Sequence, residues 1–301
     1  MWNEFLGAVA LGLLWTLMTC GVYISYRVLD IADLTVEGSL TMGAAIAAVC
    51  ITAGIHPLLA LVLAALGGML AGLATGLLHT ALHIPALLSG ILTMIALWSI
   101  NLRIMGKANV SLLRMPTVFD GFGALGLSRN LSMIAVGLLF VLAVLGFVYW
   151  FFGTEIGCAV RATGDNARMA RAQGVNTDAM KILGLVLSNG LVALSGGLIA
   201  QSQTFADIQM GTGSIVIGLA SLIIGEVLFG KKTFSQSLRS LVFGAICYRL
   251  IIALVLKLGM PANDLKLFTA LTVAVALSLP TLKQKAQARK AAREEARQCL
   301  K

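Results

Sequence analysis

TEIGCAVRATGDNARMARAQGV, running from Thr154 to Val175, is the longest polar interruption in an otherwise apolar chain. One apolar run, Leu131 to Phe152, leads into it, and another opens near Met180. A helix needs ~20 apolar residues to cross the hydrocarbon of a bilayer, and each run is about that long. The stretch therefore reads as a water-exposed connection between two membrane spans. It also carries local order. Asp165 is placed to cap a helix, because its carboxylate can accept from the free N–H groups of a first turn. Asn166 to Gln173, rich in Ala, Arg and Met, reads as about two helical turns. Gly174 then supplies a left-handed residue to end them. A short, capped, basic helix between two spans has the form of a docking element.

The bulk composition agrees with a membrane setting. The 301 residues are 58% hydrophobic and 12% charged, with a mean hydropathy of +0.93. Soluble domains average about 25% charged residues, so this chain has too little polar surface to coat a globule of its size. Met1 to Phe5 lacks a basic region and no small-residue cleavage site follows, so Leu6–Ser25 reads as a retained span. The net charge of +9 is densest in Lys283–Lys301. It reads as an orientation signal rather than as a nucleic-acid surface. The five cysteines are scattered, without metal-ligand or disulfide spacing. His79 and His83 stand one helical turn apart, but Pro85 beside them favours simple interfacial histidines.

A resemblance now adds to this reading. The run from Gly157 to Leu198 resembles the cytoplasmic loop and following span of ATP-binding-cassette (ABC) importer permeases. The similar group is that of branched-chain amino acid, ribose and nucleoside permeases. The matching pieces are Arg161-Ala162, Gly164-Asp165-Asn166, Ala167 to Ala172, Gly174-Val175-Asn176 and the small-residue run Ala193 to Gly197. Ala86 to Leu113 resembles an uncharacterised amino-acid-type branch of the same family. The resemblance implies that the short helix is a coupling helix that inserts into a groove of an ATPase subunit. Arg161, Gly164, Asp165, Asn166, Arg168, Met169, Arg171 and Gly174 are the residues it assigns to that contact.

Spans are expected at Leu6–Ser25, Leu34–Ile51, Pro57–His79, Ala86–Ile104, Leu131–Phe152, Met180–Gln201, Ser214–Phe229, Ser235–Leu256 and Leu265–Leu282. The fold class is all-α, a polytopic membrane protein of eight or nine transmembrane helices with no strand periodicity. Leu34–Ile51 and Ser214–Phe229 are short and Gly-rich, which suits broken or re-entrant helices. The resemblance puts Thr154–Val175 in the cytoplasm, and Lys231-Lys232 and the tail then fall on the same side. Gly106–Asn130 and the N-terminus come out on the opposite side, although that loop is itself basic. The chain also repeats. Ala32-Asp33, Gly38-Ser39, Gly43 and Ala45 recur 174 to 175 residues later as Ala206-Asp207, Gly213-Ser214, Gly218 and Ala220. Residues 1–282 are read as a permease domain with inverted repeats over 6–105 and 180–282. A linking span at 131–152, a coupling loop at 154–179 and a basic cytoplasmic tail at 283–301 complete it.

No catalytic constellation or phosphate-cradling Gly-rich motif is visible, so any ATP and Mg would be held by a separate ATPase subunit. Polar residues within spans carry the information, because each is expensive there. Glu37, Ser39, Thr41, Thr93, Asn101, Asn189 and Glu226 are the translocation-pathway candidates. Each could equally serve as a cap or an interhelical hydrogen bond. Capping is the reading for Asp33 and Asp207, which precede expected helix starts. Arg249 must be paired, snorkelled or wet, and its partner is not legible. The expectation is a bacterial inner-membrane permease subunit that works as a pair of this chain. Two cytoplasmic ATPase subunits, an extracytoplasmic solute-binding protein and membrane lipid are its partners, and nucleic acid is not. By resemblance the solute is an amino acid, with aromatic ones included, and sugars and nucleosides are the alternatives. A secondary transporter coupled to H⁺ or Na⁺ through Glu37, Asp33 or Glu226 is the rival from another class.

Overall fold

The computed structural model describes residues 2–123, 128–230 and 233–257, with isolated helical positions between 267 and 278. Most of the span expected at Leu265–Leu282, the Lys231-Lys232 pair and the tail Lys283–Lys301 lie outside the described residues. The described chain forms α1 (Trp2–Val22), α2 (Thr35–Thr52), α3 (Pro57–Thr80), α4 (Ala86–Met105), α5 (Asp120–Gly123) and α6 (Arg129–Gly153). It continues as α7 (Glu155–Ala172), α8 (Thr177–Gln203), α9 (Ser214–Phe229) and α10 (Phe234–Lys257). A π-helical turn, Tyr23–Val28, prolongs α1. Seven of these described helices are long and apolar enough to cross a membrane, and α9 is a shorter apolar helix.

Side-chain size sorts the faces of the outer helices. In α3, Leu59, Val62, Leu63, Leu66 and Leu70 are exposed, while Ala60, Ala64, Gly67, Gly68, Ala71 and Gly72 are buried. Hydrocarbon is as apolar as leucine, so burial of leucine drives little helix association in lipid. Small residues that let backbones approach do that work. The centre of the bundle follows the same rule. α8 packs on α1, α2 and α3, and α2 packs on α3, α4 and α8. At the α2–α8 crossing a Cβ on Gly43 would lie 1.9 Å from the Ala193 carbonyl oxygen, and one on Gly196 2.0 Å from that of Leu40. No side chain larger than hydrogen fits either position without parting the helices.

Two helices start inside the bundle. After the π-turn the chain reverses: the Ile31 N–H donates to the Ser25 carbonyl, and Asp33 reaches Asn189. Asn189 is the thirteenth of the 27 residues of α8, so α2 begins at half the height of that helix. α9 begins at the same level, because its Gly213 N–H donates to Glu37 in the first turn of α2. From there α2 runs toward His56, and α9 runs the other way, toward the Glu226–Arg27 ion pair beside the π-turn. The short Gly-rich elements are thus broken helices whose N-termini meet within the bundle.

Three expectations are corrected. A two-stranded antiparallel ribbon pairs Asn109–Ser111 (β1) with Phe205–Asp207 (β2), where no strand was expected. Three residues are too few for a period-2 pattern to show. Asp207 therefore does not cap a helix. Its carboxylate accepts from the Gln209 N–H and the Asn109 amide, tying the ribbon to the turn that follows. The polar stretch after α6 is also more helical than read, since α7 starts at Glu155.

Candidate functional site

The end of the bundle that holds α7 is built from local chemistry. The Thr154 hydroxyl accepts from the Gly157 N–H and starts the helix. The chain doubles back so tightly that a Cβ on Gly157 would meet the Phe151 carbonyl. At Asn166 the backbone leaves helical geometry (φ −154°, ψ 91°), and α7 breaks into two pieces. The Asn166 side-chain oxygen then accepts from the Met169 N–H at 3.0 Å. Asn166, not Asp165, is therefore the N-cap of the second piece, because its dihedrals are those of a residue half outside a helix. Asp165 is still in the first piece. Gly164 is helical too. It lies so close to the π-turn that a Cβ there would sit 1.8 Å from the Val28 carbonyl oxygen.

The second piece ends as its sequence suggests. Gly174 has φ +85°. Its N–H donates to the Arg171 carbonyl, and the Val175 N–H donates to that of Ala170. This pair of bonds is the Schellman closure of a helix C-terminus. Arg171 then reaches across the turn to Thr177 Oγ1 at 2.6 Å and to both carboxylate oxygens of Asp178 at 3.1 Å. The short helix is thus stapled to the start of α8. Ala170 faces inward, while Arg168 and Met169 point out, and Met169 is 59% exposed.

Arg161 does not join this outward face. Its guanidinium lies 5.2 Å from the Phe234 ring centroid. It lines a groove of about 950 Å³ between the first piece of α7, the π-turn and the start of α10, together with Arg27, Asp30 and Asp165. Arg27 and Asp30 escaped the sequence reading because they follow an apolar run and read as ordinary span flanks.

A second constellation surrounds the point where α2 and α9 start. Asp33 is 2% exposed. One of its oxygens accepts from the Thr35 N–H, which is the expected capping, and the other accepts from Asn189 at 2.7 Å. The Asn189 side-chain oxygen accepts from Ser39 at 2.7 Å. The Asn101 amide donates to the Gly38 carbonyl, and the Gly211 N–H donates to Thr41. Glu37, half-buried, holds the Gly213 N–H, where the positive end of α9 favours an acidic group. Five of the seven pathway candidates, Glu37, Ser39, Thr41, Asn101 and Asn189, are therefore gathered around one helix. Thr93 bonds its own helix at Ser89, and Glu226 pairs with Arg27 at the α7 end. The constellation can hold two helix starts and their linking segments together at mid-height.

Comparison with known proteins places this architecture. The family described as "Branched-chain amino acid transport system / permease component" matches residues 5–276. The chain is 43% identical over 270 residues to the tyrosine transport system permease protein of Clostridioides difficile, covering 90% of this chain and 89% of that one. It is 26% identical over 273 residues to the autoinducer 2 import system permease protein LsrC of Yersinia pseudotuberculosis, covering 87% of this chain and 70% of the relative. Among solved structures, an inward-facing metal-chelate-type ABC transporter superimposes with a TM-score of 0.51. That match has 15% identity and covers 93% of this chain and 85% of the other, so it supports the fold alone. Family and spanning helices together make the chain a multi-pass inner-membrane protein. With its broken helices meeting inside the bundle and an outward short helix at one end, the chain belongs to the family of branched-chain amino acid transport system permease components.

Proposed function

We propose that this chain is the permease subunit of an ABC importer for an amino acid, with aromatic amino acids as the leading substrate class. Two copies form the translocation path. Two cytoplasmic ATPases take up the Asn166–Gln173 helices, and an extracytoplasmic binding protein delivers the solute. The observation that carries this reading is Met169, 59% exposed at the tip of a helix capped at one end and closed at the other. An isolated helix below ~12 residues is marginal in water. Caps and an arginine staple that hold so short a helix, with an apolar side chain outward, suit insertion into a partner groove. The 43% identity to a tyrosine transport permease supports the substrate class.

The same geometry offers a route for coupling. α7 touches the Val28 carbonyl through Gly164, and Val28 leads directly into the segment that places Asp33 and the start of α2. A pull on α7 by closing ATPases would move that segment and the junction of α2 with α9. Equivalent helices of the two proposed repeats also pack alike: α2 on α8 and α3, and α9 on α1 and α10. Inverted repeats of this kind rock about a shared centre to alternate access.

Reconstitution in vesicles with the copurifying ATPase and the binding protein tests the reading. L-tyrosine uptake should require ATP inside the compartment that holds the ATPase. Uptake by the chain alone, following an imposed H⁺ or Na⁺ gradient without ATP, would replace it with ion-coupled transport.

A further inference from the structure

Arg249 stands where an uncompensated charge is costly. It is the sixteenth of the 24 residues of α10. At 1.5 Å per residue it lies about 22 Å from the Phe234 end and about 12 Å from the Lys257 end. Helical side chains tilt toward the helix N-terminus, here the farther end, so reaching for the nearer interface works against the side chain's own direction. The guanidinium instead rests over Trp15 of α1, its central carbon 4.1 Å from the ring centroid. Trp15 is 6% exposed, while Arg249 keeps part of its surface open. Two buried donors end here without an acceptor, Arg249 Nε and Trp15 Nε1. Buried donors are almost always satisfied, so two left over beside each other call for an explanation, and a bound group is one.

The sources of a counter-charge can be taken in turn. Among the described residues, the acids of the spans are committed. Asp33 holds Thr35 and Asn189, Glu37 holds the start of α9, and Glu226 pairs with Arg27. Glu4 is partnered and lies in the first turn of α1. A second copy of these spans therefore brings no idle carboxylate to Arg249. Lipid phosphates lie in the headgroup layer, outside the hydrocarbon core. A small solute that carries a carboxylate into the bundle is the source that the described residues leave open. Guanidinium and carboxylate match as a two-bond fork, and the indole N–H adds a third donor. Until the anion arrives, the Trp15 ring holds the guanidinium through its electron-rich face.

We infer that Arg249 and the Trp15 N–H form the intramembrane contact for the carboxylate of the transported solute. This inference rests on the amino-acid importer reading above. The test uses the whole complex of permease, ATPase and binding protein in vesicles, with L-tyrosine and L-tyrosine amide as probes. Arg249→Met should assemble with the ATPase and melt at the parental temperature, since it removes a charge without an anionic partner. Its L-tyrosine uptake should fall at least about tenfold, as loss of a charge-assisted fork implies. Arg249→Lys should recover part of it. The uptake ratio of L-tyrosine to L-tyrosine amide should drop in Arg249→Met. The binding protein is common to both measurements, so a change in that ratio belongs to the permease. Solute-stimulated ATP hydrolysis should fall. A parental ratio in Arg249→Met would overturn the inference while leaving the importer reading intact. So would a melting temperature or copy pairing that collapses in both variants, which makes Arg249 structural. Parental and variant uptake that become equal in vesicles of purely zwitterionic lipid would assign the counter-charge to lipid. If the parent complex imports ribose and neither probe, the amino-acid reading falls and this inference falls with it.

Discussion

Met169 and Asn189 are opposite kinds of residue. Met169 does nothing for the fold of this chain, being exposed and apolar on a short helix. Met169→Asp should therefore leave the melting temperature unchanged. It should lower ATP-driven uptake at least about tenfold, because a partner groove would have to desolvate an unpaired charge. Parental uptake by the variant, with the ATPase still bound, would remove Met169 from the coupling surface. Asn189 is fully buried and donates to Asp33 while accepting from Ser39. Asn189→Ala leaves an acidic group and a hydroxyl short of partners at the centre of the bundle. A cost of about 1–3 kcal/mol is expected from the unmet desolvation of such groups. Thermal unfolding in detergent measures it, and a melting curve identical to the parent's would show that water replaces the amide. The residue types at both places were legible. That Asn189 serves α2 as well as its own helix was not, because a span of 150 residues separates Ser39 from it in sequence.

The proposed coupling helix, Asn166–Gln173, is an element whose ends are better defined than its middle. Its C-terminal closure was readable, since a glycine after a helical run admits the left-handed residue that the closure needs. Its start was misassigned by one residue. Asp and Asn stand side by side at 165 and 166, and both cap well, so composition could not choose between them. The choice fell to the backbone break at Asn166, beyond the Gly164 contact with Val28. Asn166→Ala should cost about 1 kcal/mol of local stability. Hydrogen exchange should speed up in residues 167–172 and stay parental through α8. Faster exchange spreading into α8 would mean that the helix and the span unfold as one unit, against the separate staple through Arg171.

At the scale of the molecule, the proposed sidedness has a direct check. Cys158 is exposed on α7, and Gly121 is exposed at the opposite end. A membrane-impermeant thiol reagent should label Gly121→Cys in cells whose outer barrier is permeable. Cys158 should react only once the inner membrane is opened. Labelling of Cys158 in the intact cells would invert the orientation. Among the described residues, the sequence by itself determined which segments are long and apolar enough to cross and which interrupt. Crossing depends on ~20 consecutive apolar residues, a property summed along the chain and blind to neighbours. It also exposed the short elements at Leu34–Ile51 and Ser214–Phe229, because glycine content and length are local quantities. Only the tertiary structure decided where those elements begin in depth. Their N-termini are held by Asn189 and Glu37, bonds that join residues 156 and 176 positions apart. It also decided which polar residues share a site and which, like Arg249, are left facing an unfilled demand. Hydrogen bonds and close backbone approach act over a few ångströms of space, and distance along a chain carries no record of them.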